Sequence, residues 1–385
     1  MDGENKLYTK TRKLENHDNA VWDIQATKEY IYSAGFDGKI NEWDVNNGNL
    51  MCTFNIKEGE EGHDGQIWSC TVDEKNKRMY SVGNDLKLCA WDISHEEEKH
   101  GNLVGKIDDV HPSSIYFVTT LPSARTDASV CATGSQDGAI KVWTINTETI
   151  EPIDSGDISR ATSCQKNAHD GGVLCMSLQA SSFGNFQMAT GGSDTRIRLW
   201  DIAGASLRPL QILGEVDSGD YGQDKSLVEK GSRVDGHTAA VSTLQFSKEG
   251  GSKLLLSGAW DGIAKLWDTR MQKPCILSWE AHRQNISGMS FFGQNFAVTG
   301  SSDPDNNIKV WDFRMFKEDT PTAYNVVPYL QVLEGHINTV TCVASLPDES
   351  QLLTGSSDRS VIQWYPLHDT KWDPDEGNIG CCQIV

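Results

Sequence analysis

What this sequence lacks narrows it before any motif does. No apolar run approaches the roughly 20 residues of a membrane-spanning helix, and the opening MDGENKLYTK has no apolar stretch of the kind that leads a secreted chain. The protein is therefore expected in the cytoplasm, with the nucleus equally compatible. Positive charge is scarce: 34 Lys+Arg stand against 54 Asp+Glu, a net charge of -20. That balance argues against a nucleic-acid backbone or an anionic membrane surface as the main ligand, and leaves room for a basic partner. Paired CxxC spacing is missing, and apart from Cys381-Cys382 the ten cysteines are scattered singly, as reduced and mostly buried thiols would be. There is no GxxxxGK[ST], no GxSxG and no HExxH. His95 and His100 flank three glutamates but are five apart, which does not put two ligands on one helical face, so HEEEKH is expected to be a solvated charged loop. On this reading the chain has no catalytic residue, no metal site and no cofactor.

What is present is a repeat. Gly236 to Arg270, GHTAAVSTLQFSKEGGSKLLLSGAWDGIAKLWDTR, sets a pattern that recurs seven times. Histidines fall at His17, His63, His111, His169, His237, His282 and His336. An aspartate in a polar or glycine-containing turn follows each after 20 to 26 residues: Asp37, Asp85, Asp137, Asp194, Asp261, Asp303 and Asp358. Four residues before every aspartate stands a hydroxyl, at Ser33, Ser81, Thr133, Thr190, Ser257, Thr299 and Thr354. Six residues after it stands a tryptophan, at Trp43, Trp91, Trp143, Trp200, Trp267 and Trp364, with Trp311 two residues late because Pro304-Asp305 enlarges its turn.

These motifs resemble a WD-repeat (WD40) β-propeller over nearly all of residues 5 to 367. The Trp-Asp pair survives in five copies, while Trp143 is followed by Thr144 and Trp364 by Tyr365. The resemblance implies an all-β, seven-bladed propeller in one domain, 1–367, in which each His, Ser/Thr, Asp and Trp set forms a buried hydrogen-bond chain. Such a chain is chemically coherent, because an indole N–H, a hydroxyl, an imidazole and a carboxylate can satisfy one another inside a small sheet. The last copy ends after its third strand, Val361-Ile362-Gln363-Trp364, and nothing strand-like follows. Lys6 to Leu14 is therefore expected to supply the missing outer strand and close the ring. Residues 368–385 read as a flexible tail. Insertions at Ser94–Asn102 and Arg314–Pro328 should follow a blade's third strand. Gly214–Asp235 and Asp154–Ala168 should precede a repeat histidine on the other face.

Function should depend on positions that the repeat leaves free. Five residues after each histidine the copies carry Trp22, Trp68, Tyr116, Leu174, Ser242, Ser287 and Thr341. In the family this position borders the face where peptides commonly bind, and Phe36 and Trp260, just before tetrad aspartates, add to it. Clustered aromatics of this kind make interface hot spots, so Trp22, Phe36, Trp68, Tyr116 and Trp260 are the candidate contacts of a scaffold for protein or peptide partners. The chain is expected to act as a monomer within a larger complex. On the opposite face, the endings Trp267-Asp268-Thr269-Arg270 and Trp311-Asp312-Phe313-Arg314 resemble the WDxR box of cullin-RING substrate receptors, which makes Arg270 and Arg314 candidate adaptor contacts in an alternative reading. Cys382-Gln383-Ile384-Val385 resembles a CaaX prenylation signal, with Cys381 as a second acceptor, and implies membrane attachment through lipid. A propeller hydrolase would need acids or histidines left over from the tetrads, and no such set is evident. The sequence also lacks an N-terminal coiled-coil heptad run, which speaks against a heterotrimeric G-protein β role.

Overall fold

The computed structural model describes residues 8–54, 62–121, 127–152, 161–180, 186–204, 206–214, 236–248, 252–293, 295–302, 307–315 and 329–366. These residues form seven four-stranded antiparallel sheets arranged as the blades of a β-propeller. Blade 1 runs from its inner strand Val21–Ala26 through Tyr30–Gly35 and Ile40–Asp44 to the outer strand Leu50–Phe54. The inner strands of blades 2 to 7 are Ile67–Asp73, Ile115–Leu121, Val173–Ala180, Val241–Phe246, Ile286–Phe292 and Val340–Ser345. Each touches the next around the ring, and the last returns to the first.

Blades stack face to face, so the middle strands are covered on both sides. Ile263–Asp268 and Leu352–Ser356 are buried at every residue. Neither reads as an apolar–polar alternation, and the charged residues of the first are buried with partners: Lys265 donates to Ser278 Oγ at 3.1 Å and Asp268 accepts from Arg270 at 2.6 Å. The core lies between blades. One cluster joins Tyr32 and Ile40 of blade 1 to Ile67, Met79 and Trp91 of blade 2.

The ring closes as the repeat arithmetic requires. Tyr8–Glu15 is the outer strand of blade 7 and pairs antiparallel with Ser360–Pro366, Leu14 opposite Val361. Lys6 and Leu7 lie outside the described residues. Tyr8 and Leu14 are buried, and Leu14 joins Val21, Trp43, Leu353 and Val361 in one core across the seam. Gln331 fastens this strand to blade 6: its side chain accepts from the Tyr8 amide at 2.8 Å and donates to the Tyr8 carbonyl at 2.9 Å. The chain ends are thereby joined, and the third strand of blade 7 is covered instead of being left as an edge.

The expectation that Asp154–Ala168 is one insertion ahead of His169 is corrected in part: Ser163–Gln165 within it is the outer strand of blade 3, and residues 153–160 lie outside the described residues. An outer strand of three residues leaves too short an apolar signature to be recognised as a strand.

Candidate functional site

The tetrads come together as hydrogen-bonded chains. Trp43 Nε1 donates to Ser33 Oγ at 3.0 Å, Ser33 Oγ lies 2.9 Å from His17 Nε2, and His17 Nδ1 lies 3.0 Å from Asp37. In blade 4 the same three distances are 2.9, 2.8 and 2.8 Å, for Trp200–Thr190–His169–Asp194. The indole can only donate to the hydroxyl oxygen, whereas each imidazole nitrogen donates or accepts according to its tautomer, and in blade 4 Arg198 also lies 2.7 Å from His169 Nδ1. Blades 2 and 7 repeat this geometry through His63–Asp85 and His336–Asp358. Blades 3 and 5 stretch the last link to 3.4 Å, at His111–Asp137 and His237–Asp261. In blade 6 Trp311 and His282 meet at Thr299, while Asp303 lies outside the described residues. Burial pushes the Asp137 carboxyl up, but hydrogen bonds from His111 and the Ala139 amide outweigh it and hold the pKa down at about 2. All of this chemistry faces inward, as scaffold.

The free position has a backbone cause. In every blade the ladder between the first two strands slips by one residue, between Val21 and Asp23, Ile67 and Ser69, Ile115 and Phe117, and at the equivalent places in the other four. The skipped residues are Trp22, Trp68, Tyr116, Leu174, Ser242, Ser287 and Thr341. A β-bulge leaves its extra residue unpaired and re-aims the side chain. The seven bulges therefore surround the histidine-side mouth of a central channel, a cavity of about 1000 Å³.

Four aromatics join at that mouth. Trp22 stacks on Phe36 at 4.5 Å and 14°, meets Trp68 edge to face at 5.0 Å, and Trp68 meets Tyr116 at 5.1 Å. All four rings are half-buried against one another. Trp260, across the mouth, is 51% exposed and lines the same cavity. The Trp68 indole nitrogen is buried and has no hydrogen-bond acceptor among the described residues.

On the opposite face, Arg270 and Arg314 each fold back in a two-pronged contact on the aspartate of their own Trp-Asp pair, Asp268 and Asp312. Both stay open to solvent, with side chains 64% and 42% exposed. Cys381 and Cys382 lie outside the described residues.

The expectation of a solvated HEEEKH loop holds for residues 95–99, which are exposed, and is corrected at its end. His100 is half-buried and lies 2.6 Å from Glu42, a fully buried carboxylate on the third strand of blade 1, while the exposed His95 approaches the same carboxylate at 3.5 Å. A signal for this was available: at the position before each tetrad tryptophan the other copies have Ala90, Val142, Leu199, Leu266, Val310 and Gln363, so Glu42 is the one charged residue in that register. Burial alone would lower the His100 pKa, but the Cys52 thiol and the Glu42 carboxylate outweigh it and raise it to about 9.

A ring of seven four-stranded blades with a buried His–hydroxyl–Trp chain in each defines a propeller scaffold. The family profile described as "WD domain, G-beta repeat" matches residues 8–44, 162–201, 229–268, 273–312 and 328–365, about half the chain. This chain belongs to the WD40 family. A guanine nucleotide-binding protein subunit beta from Solanum tuberosum is 26% identical over 310 residues, covering 80% of this chain and 70% of its own length. Eukaryotic translation initiation factor 3 subunit I from Anopheles gambiae is 23% identical over 357 residues, 90% and 94% of the two chains. The WD repeat domain-containing protein 83 homolog of Dictyostelium discoideum is 21% identical over 369 residues, 91% and 96%. Among the described residues no helix is long and apolar enough to cross a membrane.

Proposed function

We propose that this WD40 protein is a non-catalytic scaffold which binds an extended peptide segment of a protein partner at the aromatic mouth. Trp22, Phe36, Trp68 and Tyr116 supply one wall and Trp260 the other. The observation that carries the reading is the Trp68 indole N–H, buried among rings with no acceptor. An unmet buried donor costs about 1–3 kcal/mol, and a peptide carbonyl entering the mouth would satisfy it. Rigid rings lose little entropy on binding, so a few anchors can supply most of the affinity. The net charge of -20 favours a basic segment. Peptides selected from a displayed library on the folded wild-type ring should bind the Trp22→Ala/Trp68→Ala variant at least tenfold more weakly. If every selected peptide binds both proteins equally, the mouth is not the site.

The alternative, substrate receptor of a cullin-RING ligase, rests on two exposed arginines on neighbouring blades, Arg270 and Arg314. Their guanidinium groups already hold Asp268 and Asp312, so an adaptor would read them through the edges left free. Loss of cullin-RING adaptor association in Arg270→Ala/Arg314→Ala, with melting unchanged, is the expected outcome of that reading. Attachment to a membrane would come from a lipid on Cys382, helped by Cys381, and hold the protein on the cytoplasmic side. Intact-mass measurement from the native cell tests it, since the unmodified full-length mass excludes it.

A further inference from the structure

We propose that Glu42, His95 and His100 form a binding site for a divalent transition-metal ion, zinc by its ligand set, between blades 1 and 2 on the face opposite the aromatic mouth. The proposal is independent of the peptide reading. Glu42 is fully buried beside Tyr32 and Phe54, and a carboxylate there needs strong partners. Tyr32 donates its hydroxyl to Glu42 Oε1 at 2.8 Å, His100 Nε2 lies 2.6 Å from Oε2, and His95 Nε2 lies 3.5 Å from Oε1. One ligand atom from each of the three residues falls within 4.8 Å of the others. Ligands held tetrahedrally at zinc bond lengths are separated by about 3.4 Å, so only a small rearrangement brings all three to one ion.

The two imidazoles are pre-set. They stack at 4.2 Å and 25°, and Tyr30 stacks on His95 at 4.3 Å. The loop reaches this shape through left-handed backbone at His95, φ 59°, where a non-glycine residue is uncommon, and at Gly101, φ 83°. It is pinned by Ser94 on Asp92 and by the Gly101 amide on the Asp92 carbonyl. Hydrogen bonding explains one of these histidines but not both. At 3.5 Å His95 makes at best a weak bond to Glu42. A metal ion accepts two neutral imidazoles and a carboxylate together. Calcium and magnesium require six or more oxygens, and these three residues offer one carboxylate.

Cys52 is the fourth-ligand candidate, although its sulfur falls outside the 4.8 Å grouping of the other three ligand atoms and would have to move to join them. It is the cross-strand partner of Glu42, and the loop closes over it so tightly that a Cβ on Gly101 would lie 2.6 Å from its sulfur. The N₂O set of Glu42, His95 and His100 suits zinc, and the ion would tie the loop of blade 2 to the third strand of blade 1, with Cys52 completing an N₂OS set if its sulfur joins.

The test uses full-length protein stripped with chelator and titrated with Zn²⁺ against a chromophoric competitor. Wild type should hold one tight equivalent and melt higher with zinc. His95→Ala/His100→Ala, folded by circular dichroism, should bind that equivalent roughly a hundredfold more weakly and lose the melting shift. No tight equivalent in wild type, or one that survives in the double variant, would overturn the site. Cobalt substitution reads the fourth position. A sulfur-to-cobalt charge-transfer band in wild type that vanishes in Cys52→Ser is expected, and a band that persists, or none at all, removes Cys52 from the ligand set.

Discussion

Blades 1 to 3 and blades 5 to 7 use the same bulged residue for opposite purposes. In the second arc the bulge presents a hydroxyl, and each hydroxyl crosses to the next blade: Ser242 Oγ donates to the Ile286 carbonyl, Ser287 Oγ to the Val340 carbonyl and Thr341 Oγ1 to the Val21 carbonyl. Those carbonyls belong to residues just before the neighbouring bulge, where the ladder is interrupted and an acceptor is free. In the first arc the bulge presents Trp22, Trp68 and Tyr116, which pack on one another and face the mouth. Polar contact between blades 1 and 2 is made deeper, by Asp23, whose carboxylate accepts from Ser69 Oγ at 2.9 Å and from the Cys70 amide at 3.0 Å. One backbone feature thus serves as inter-blade mortar in one arc and as recognition surface in the other. The tryptophan–hydroxyl–histidine contacts recur in both arcs and do not distinguish them.

The largest effect should come from opening the hydroxyl arc at its seam. Deleting residues 1–14 removes the outer strand of blade 7 and exposes what Tyr8 and Leu14 cover. Burying such side chains is worth about 1.5–3 kcal/mol each, so the ring should lose about 3–6 kcal/mol and expose a sheet edge. Chemical denaturation and limited proteolysis check this, and an unchanged midpoint would mean the strand is ornamental. The reciprocal experiment falls on the aromatic arc. Trp22→Ala/Trp68→Ala should weaken peptide binding by about 2–4 kcal/mol, the range of interface hot spots, measured by calorimetry. The ring should still fold, because its blade-to-blade hydrogen bonds lie elsewhere.

How much of this was legible in the sequence follows from how local each signal is. The tetrads have fixed short spacings because each is confined to one blade, and seven copies made them plain. The bulge could be seen as a position but not as a bulge, since a ladder slip leaves no residue signature when its occupant ranges from Trp to Ser. Glu42 and His100 are 58 residues apart and in different blades. No motif spacing predicts that contact, which exists because stacking puts a loop of blade 2 over the third strand of blade 1. Only the charge at an otherwise uncharged register pointed to it. The phenolic, thiol and imidazole groups around Glu42 became a site through topology, not through sequence proximity.

A third comparison should show no difference between the arcs. Asp137 in blade 3 and Asp358 in blade 7 both have pKa values held below the usual carboxylate range, burial opposing and the tetrad histidine and nearby hydrogen bonds prevailing. A carboxyl whose folded pKa is depressed stabilises fully above its unfolded value near 4 and loses that contribution as pH falls through the folded value. For Asp137, at about 2, the window is about pH 4 to pH 2. Asp137→Asn and Asp358→Asn should each cost about 1–3 kcal/mol at neutral pH and flatten the acid limb of a stability–pH curve by similar amounts. Unequal losses would mean that the arcs differ in scaffold as well as in surface.

The smallest effect is the most discriminating. Ser287→Ala removes one hydroxyl proton from the Val340 carbonyl and leaves the bulge, the channel and every ring in place. A single neutral hydrogen bond of this kind contributes about 0.5–1.5 kcal/mol, so stability should fall by that amount while peptide affinity stays within error. Ser242→Ala should behave alike, and because its acceptor, the Ile286 carbonyl, adjoins Ser287, a double-mutant cycle should show coupling between the two bonds. If Ser287→Ala weakens peptide binding while denaturation is unchanged, the hydroxyl arc is part of the recognition surface, and the division of the ring into mortar and mouth must be redrawn to include both sides of the channel.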